Sequence, residues 1–204
     1  MEITDTYKTL ETLSEGLYKE KGSKFIGYAV ACYSEQEAKD FLAEWRKAHH
    51  QSRHLCYAYR FGLKKDIFRA NDDGEPSNSA GAPILGQIQS YDLTNVLIGV
   101  VRYFGGTKLG VGGLIQAYRT AAKEAIGSGI IIEKQVFEHV QLKFGYNEMT
   151  EVMSFVKANQ LAIEKQDFAE SCELQVALPL ERADFLKEGI TGNKEMEIEV
   201  LGVY

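Results

Sequence analysis

The segment Gly105-Gly106-Thr107-Lys108-Leu109-Gly110-Val111-Gly112-Gly113 packs five glycines into nine residues, between an apolar run and an amphipathic pattern. A stretch of this kind can aim backbone N–H groups and a following helix N-terminus at an anion, with Lys108 adding positive charge. It is not a known nucleotide loop. Lys108 is followed by neither Ser nor Thr, the G-x-x-x-x-G-K spacing is missing, and no G-x-G-x-x-G occurs. The same glycines could serve tight turns and close packing, although five exceed what one turn needs. Just upstream, Arg102, Tyr103 and Phe104 end the apolar run, where an exposed ring could stack on a base. From Leu93 to Lys123 the chain carries Arg102, Lys108, Arg119 and Lys123 and no acid.

A second candidate is the loop Asn71-Asp72-Asp73-Gly74-Glu75-Pro76-Ser77-Asn78-Ser79-Ala80-Gly81. Asp72, Asp73 and Glu75 are oxygen ligands suited to Mg²⁺ or Ca²⁺, but their spacing is not that of an EF-hand. The competing reading is an Asx-type turn whose side chains cap the helix that follows. Ser77, Asn78 and Ser79 could form a polar cradle for an anion, and both Gly-rich loops could face one cleft. His49, His50, His54 and Cys56 invite a zinc reading. Only His54 and Cys56 share a strand face, however, and no second cluster completes four ligands. No metal and no cofactor is expected. Cys56 with a His base is a poor nucleophile pair, because same-face strand neighbours lie ~7 Å apart.

The elements that must hold these residues follow from periodicity. Gly16–Lys19 and Lys24–Tyr33 read as strands, and Ser34 with Glu37 as a capping box ahead of Ala38, Phe41, Leu42 and Trp45. Strands are expected at His54–Leu63, Ile67–Ala70 and Asn95–Tyr103, the last buried on both faces. Helices are expected from Ser79 or Ala82 to Tyr91, and from the Gly-rich segment to Gly127-Ser128-Gly129; Ile130–Ile132 would be the last strand of a first domain. After it come a strand, Val136–Phe144, a helix capped by Asn147, and a hairpin of Ala162–Phe168 and Cys172–Leu178. A helix, Leu180–Glu188, opened by Pro179 and stopped by Gly189, and a strand alternating Met196, Ile198, Val200 with Glu195, Glu197, Glu199 complete the chain. The order β-α-β-β-α-β is that of a ferredoxin-like fold. An α/β (α+β) protein of two domains is expected, 1–133 and 136–204.

A length of 204 residues, 45% hydrophobic and 25% charged, is that of an ordinary globular protein. No apolar run reaches the ~20 residues of a membrane span. The start Met1-Glu2-Ile3-Thr4-Asp5 is unlike a secretory signal. Three scattered cysteines suit a reducing compartment. A cytoplasmic location without membrane contact is expected. The net charge of −6 is uneven: residues 1–132 hold 16 basic and 15 acidic residues, and residues 133–204 hold 7 and 14. Contact with a polyanion must therefore come from a local patch on the first domain.

Four segments together resemble a known family: His54-Leu55-Cys56-Tyr57-Ala58-Tyr59; Asp72-Asp73-Gly74-Glu75-Pro76-Ser77; Ala80-Gly81-Ala82-Pro83-Ile84-Leu85; and Val100 through Leu114. In this order they are similar to the IMPACT family, in its bacterial YigZ-like branch. One departure is Asn78, where the family favours Gly. The resemblance implies a ribosomal-protein-like α/β sandwich, akin to domain IV of the translocase elongation factor, with a left-handed crossover. It also implies a small C-terminal domain, and eukaryotic relatives that regulate translation during amino-acid starvation through protein contacts. The leading expectation is a non-enzymatic regulator associated with RNA or the ribosome, or with a regulatory protein. Arg102, Tyr103, Gly105, Gly106, Lys108, Gly110, Gly112, Gly113, Arg119, Ser77, Ser79 and His54 would be its binding residues. The alternative is an enzyme or sensor that binds a phosphorylated small molecule between the two loops, with Asp72, Asp73 or Glu75 holding Mg²⁺. The sequence leaves the oligomeric state open.

Overall fold

The computed structural model describes residues 3–169, 171–191 and 196–204. The chain is mixed α/β and divides into two compact units, Tyr7–Lys134 and Gln135–Tyr204, with Thr4–Thr6 counted in the second.

The first unit is built on a sheet of β2 (Ser14–Glu20), β3 (Ser23–Ala31), β4 (His54–Phe61), β5 (Ile67–Asn71) and β6 (Val96–Tyr103). Their spatial order is β2-β3-β6-β4-β5, with each neighbouring pair antiparallel. β6 is central and its residues Val96–Arg102 are all buried, because helices cover both faces of the sheet. On one face α2 (Gly81–Ser90) and α3 (Gly110–Ser128) press Ile84, Ile88, Leu114, Ala117, Tyr118 and Ala121 against Phe25, Ala58, Ile98 and Val100. On the other, α1 (Glu35–Ala48) brings Ala38 and Trp45 against Ile26, Leu55, Tyr59, Leu97 and Val101. Trp45 is core, stacked between Tyr28 and Phe41. The capping box holds with a small change: Ser34 Oγ accepts from the Glu37 N–H, and Glu37 accepts from Tyr33 rather than from Ser34.

The sheet's register sets up the site. Phe25, Arg102 and His54 stand side by side on β3, β6 and β4. The N-terminal strand β1 (Thr6–Leu10) has no counterpart among the elements expected from periodicity; it pairs with β7 (Ile131–Gln135), which runs three residues beyond the expected Ile132.

The second unit orders β8 (Phe137–Phe144), α4 (Met149–Ala158), β9 (Ala162–Phe168), β10 (Cys172–Pro179), a 3₁₀ turn (Leu180–Arg182), α5 (Ala183–Thr191) and β11 (Glu197–Val203). Its sheet runs β11-β8-β10-β9, all antiparallel. Val152, Val156, Leu186 and Ile190 join Val140, Leu142, Leu174 and Val176 in one core. Two local expectations fail here. Asn147 makes no cap, since α4 begins after Glu148 without a side-chain cap bond. Gly189 does not stop the helix but lies within α5, which continues to Thr191; Pro179, the last residue of β10, caps the 3₁₀ turn that leads into α5, at the helix entry as expected. Tertiary packing overrides a glycine cost of about 1 kcal/mol. Val200 is half exposed, because the pairing with β8 shifts between Val200 and Gly202. Glu195 lies outside the described residues. Among the described residues no helix is long and apolar enough to cross a membrane.

Candidate functional site

The acidic loop is organised by its own carboxylates. Asp72 Oδ1 accepts from the Ala80 and Gly81 N–H groups at 2.9 and 2.8 Å, and its Oδ2 from the Asn78 N–H at 2.8 Å. Asp72 thus supplies the cap that α2 lacks at Ala80. Asp73 Oδ2 accepts from the Leu55 N–H at 2.6 Å and from Arg46 at 2.8 Å. Glu75 Oε1 accepts from Arg102 Nη1 at 2.6 Å and from the Tyr118 hydroxyl at 2.7 Å. The three carboxylates turn to three different sets of donors and do not converge. No cluster of three metal-ligating side chains exists among the described residues. The capping reading of this loop prevails over the metal reading.

Asn78 occupies a left-handed conformation, φ +60°. Only Gly adopts that region without cost, and Asn tolerates it best of the others. Asn78→Gly should raise the stability of the first unit by about 0.5 kcal/mol, read from the denaturant midpoint.

Arg102 is buried. Its guanidinium lies 5.5 Å from the ring centres of both Phe25 and Phe104, and its Nε is sealed from solvent without a hydrogen bond. The side chains of Arg102 and Glu75 are 8% and 4% exposed. Beside them Cys56 is fully buried and donates to the Asp72 carbonyl at 3.0 Å. Burial pushes the Cys56 thiol and the Tyr118 phenol up, each further raised by Glu75. Neither is a nucleophile at neutral pH. His54 Nδ1 donates to the Asp73 carbonyl at 2.8 Å, which fixes the ring and ties β4 to the acidic loop.

Above this buried layer lies an open cleft of about 860 Å³. The end of β6 and the residue after it supply Arg102, Tyr103 and Phe104, the approach to α3 and its start supply Lys108 to Val111 and Leu114, and the start of β4 with the residues before it supplies His54, Arg53 and Gln51. Glu75 and Pro76 complete the wall. Both Gly-rich loops therefore do face one cleft. Lys108 and Arg53 are exposed and make no ion pair among the described residues. α3 starts at Gly110 with neither an acidic residue in its first turn nor a side-chain cap. Gly105 is needed for close backbone packing, since a Cβ there would stand 1.8 Å from the Gly22 carbonyl carbon. Gly106 and Gly110 have φ of +88° and +68° and open space around them, and Gly112 is also unobstructed.

The other residues singled out in the sequence are distributed differently. Ser79 is buried and donates to the Pro76 carbonyl at 2.6 Å, while Ser77 is exposed and off the cleft wall. Arg119 sits on a separate depression between α2 and α3, beside Gln87. Tyr103 lines the cleft, but its hydroxyl is bound to His49 Nδ1 at 2.8 Å and its ring packs on the core beneath α1. Phe104, 55% exposed, is the freer ring. Arg53 is absent from the sequence-based set because it lies far in sequence from the acid-free stretch. The available signal was a basic residue directly ahead of the strand that starts at His54.

His49 links Tyr103 to Tyr28, whose hydroxyl lies 2.7 Å from its Nε2. A neutral ring can donate at one nitrogen and accept at the other. Burial lowers the His49 pKa, Lys24 lowers it further, and Glu15 opposes. A folded pKa below the unfolded value of ~6.5 gives stability that is present above that value and lost as pH falls. Between pH 7.5 and pH 5 the wild type should lose more urea stability than His49→Gln. Equal losses would refute the assignment.

The Impact N-terminal domain family matches residues 21–126. The chain is 30% identical to IMPACT family member YvyE of Bacillus subtilis, over 91% of this chain and 86% of that protein. It is 31% identical to IMPACT family member YigZ of Escherichia coli, over 78% and 79% of the two chains. A protein IMPACT homolog of Saccharomyces cerevisiae is 31% identical over 54% of this chain and 44% of its own. A crystal structure of a hypothetical protein covers 98% of both chains with a TM-score of 0.75 at 24% identity, which establishes the likeness of fold. With the family matched across the sheet and the cleft, and bacterial relatives aligned along most of the chain, this protein belongs to the IMPACT family.

Proposed function

We propose that this protein is a non-enzymatic, translation-linked regulator in the cytoplasm whose first unit binds single-stranded RNA in the cleft at the end of β6. The observation that carries this reading is the cleft's unmatched positive end. Lys108, Arg53 and the uncapped N-terminus of α3 face it, while its one acid, Glu75, is already paired with Arg102. Phosphates suit that end, and the exposed ring of Phe104 offers a base a stacking face. The link to translation comes from the family. An elongation-factor domain IV-like reading of the first unit, residues 1–133, is supported by its helix-covered antiparallel sheet. The strand order of the second supports a ferredoxin-like domain over 136–204. That second unit, with its excess of acids, is left to orient the first or to meet a regulatory protein or the ribosome.

The rival, a phosphorylated small molecule held with Mg²⁺, loses support because Asp72, Asp73 and Glu75 are each engaged with donors of the protein. The test is a titration with single-stranded RNA and with mononucleotides at two salt concentrations. RNA binding that weakens steeply with salt is expected. Saturable, Mg²⁺-dependent binding of a mononucleotide alone would favour the rival, and binding of neither would overturn the assignment of the cleft.

A further inference from the structure

The buried layer beneath the cleft holds an acceptor that the phosphate reading leaves unused. Glu75 Oε1 carries both hydrogen bonds of this carboxylate, from Arg102 and Tyr118. Oε2 accepts none among the described residues. Unlike Arg102 Nε it is not sealed from solvent, and Glu75 lines the cleft. The carboxylate is held rigidly: one oxygen is clamped by two donors, the side chain is 4% exposed, and the neighbouring cation is itself enclosed by two aromatic rings. A fixed, charged acceptor whose ordering cost is already met is a recognition element for an O–H or N–H donor, and repels a bare anion.

Its position says which donor. Tyr118 stands eight residues beyond Gly110 on α3, roughly 12 Å along the helix axis. Its side chain leans back toward the N-terminus. Glu75, on the tyrosine hydroxyl, therefore lies well short of that distance from the helix start, on the same cleft as Lys108 and Gly110. A span within that length lets one nucleotide reach both, its phosphate at the helix start and a sugar hydroxyl at Glu75. Phe104, over the Arg102 guanidinium, adds an apolar wall beside it.

We infer that Glu75 Oε2 accepts a hydrogen bond from a ribose 2′-hydroxyl while the phosphate meets Lys108 and the α3 N-terminus, so that the cleft selects RNA over DNA. This inference rests on the RNA reading of the cleft. A deoxyribose would leave the carboxylate facing the ligand unpaired, and the 2′-hydroxyl is the group by which proteins tell the two polymers apart.

The experiment compares matched single-stranded RNA and DNA of one sequence, together with RNA carrying 2′-deoxy or 2′-O-methyl sugars at single positions, on the full chain. RNA should bind about ten- to a hundredfold more tightly than DNA, the range of a hydrogen bond to a charged group. At one sugar position, deoxy and O-methyl substitution should each reproduce most of that loss, since both remove the donor. Because the changes are made in the ligand, the result does not depend on a variant that folds. Glu75→Gln, checked for folding by circular dichroism, should narrow the RNA-to-DNA ratio. Equal affinity for RNA and DNA, or a tolerated O-methyl at every position, would overturn this inference and leave the RNA reading standing. Failure to bind either polymer would sink both.

Discussion

Glu75→Ala should lower the stability of the first unit by about 3–5 kcal/mol, the cost of leaving a buried cation without its partner. Arg102 keeps its place beneath α3, because Phe25 and His54 flank it on the sheet. Its guanidinium would then face only two aromatic rings, with Nε already unbonded. The Tyr118 hydroxyl would lose its acceptor in the same step. The reverse change, Arg102→Met, should cost a similar amount by stranding the carboxylate. The double variant Glu75→Leu/Arg102→Met should recover most of the loss, since well-packed apolar pairs often match a buried ion pair. Urea unfolding of the wild type, Glu75→Leu, Arg102→Met and the double variant, analysed as a double-mutant cycle, measures this coupling. If the single variants lose less than about 1 kcal/mol, the pair does not clamp the acidic loop to β6 and α3.

Much of the fold was legible because it rests on local rules. The Ser34 cap, the stripe of Ala117, Tyr118, Ala121 and Ala125 on α3, and the continuous apolar run of β6 each state their own element. β1 was not legible: Thr6–Leu10 is short and half polar, and its partner β7 lies at the far end of the first unit. Asn147 and Gly189 carry the right local chemistry for a cap and a stop, but packing of α4 and α5 sets other boundaries.

The site was legible in part for the same reason. The Gly-rich stretch with Lys108 and the loop with Glu75 are visible as compositions, and the structure brings both to one cleft. That Arg102 is buried and consumed by Glu75 depends on the register of three strands and on a helix laid across them, which no spacing records. Asp72, Asp73 and Glu75 do not act as one group. Adjacent acids on a tight loop point to different partners, and here each meets a different part of the protein.

Lys108→Glu should weaken RNA binding by about tenfold at low salt, and combined with Arg53→Glu by about a hundredfold, since each removes a phosphate contact and adds repulsion. Each lost contact should also flatten the salt dependence, lowering the slope of log affinity against log salt by about 0.7 for a single strand. Stability supplies an internal control of opposite sign. Lys108 is exposed and stands two residues before the start of α3, whose first turn holds no acid. A carboxylate there favours the positive end of the helix by about 0.3–1 kcal/mol. Lys108→Glu should therefore raise the unfolding midpoint while it lowers affinity, and a loss of binding cannot then be attributed to a damaged fold. Arg119→Glu, on the separate depression between α2 and α3, should leave affinity within about twofold, as expected for a charge far from the bound phosphates. If Lys108→Glu binds as tightly as the wild type, or if Arg119→Glu is the more damaging change, RNA docks on another surface and the cleft is not where the charge acts.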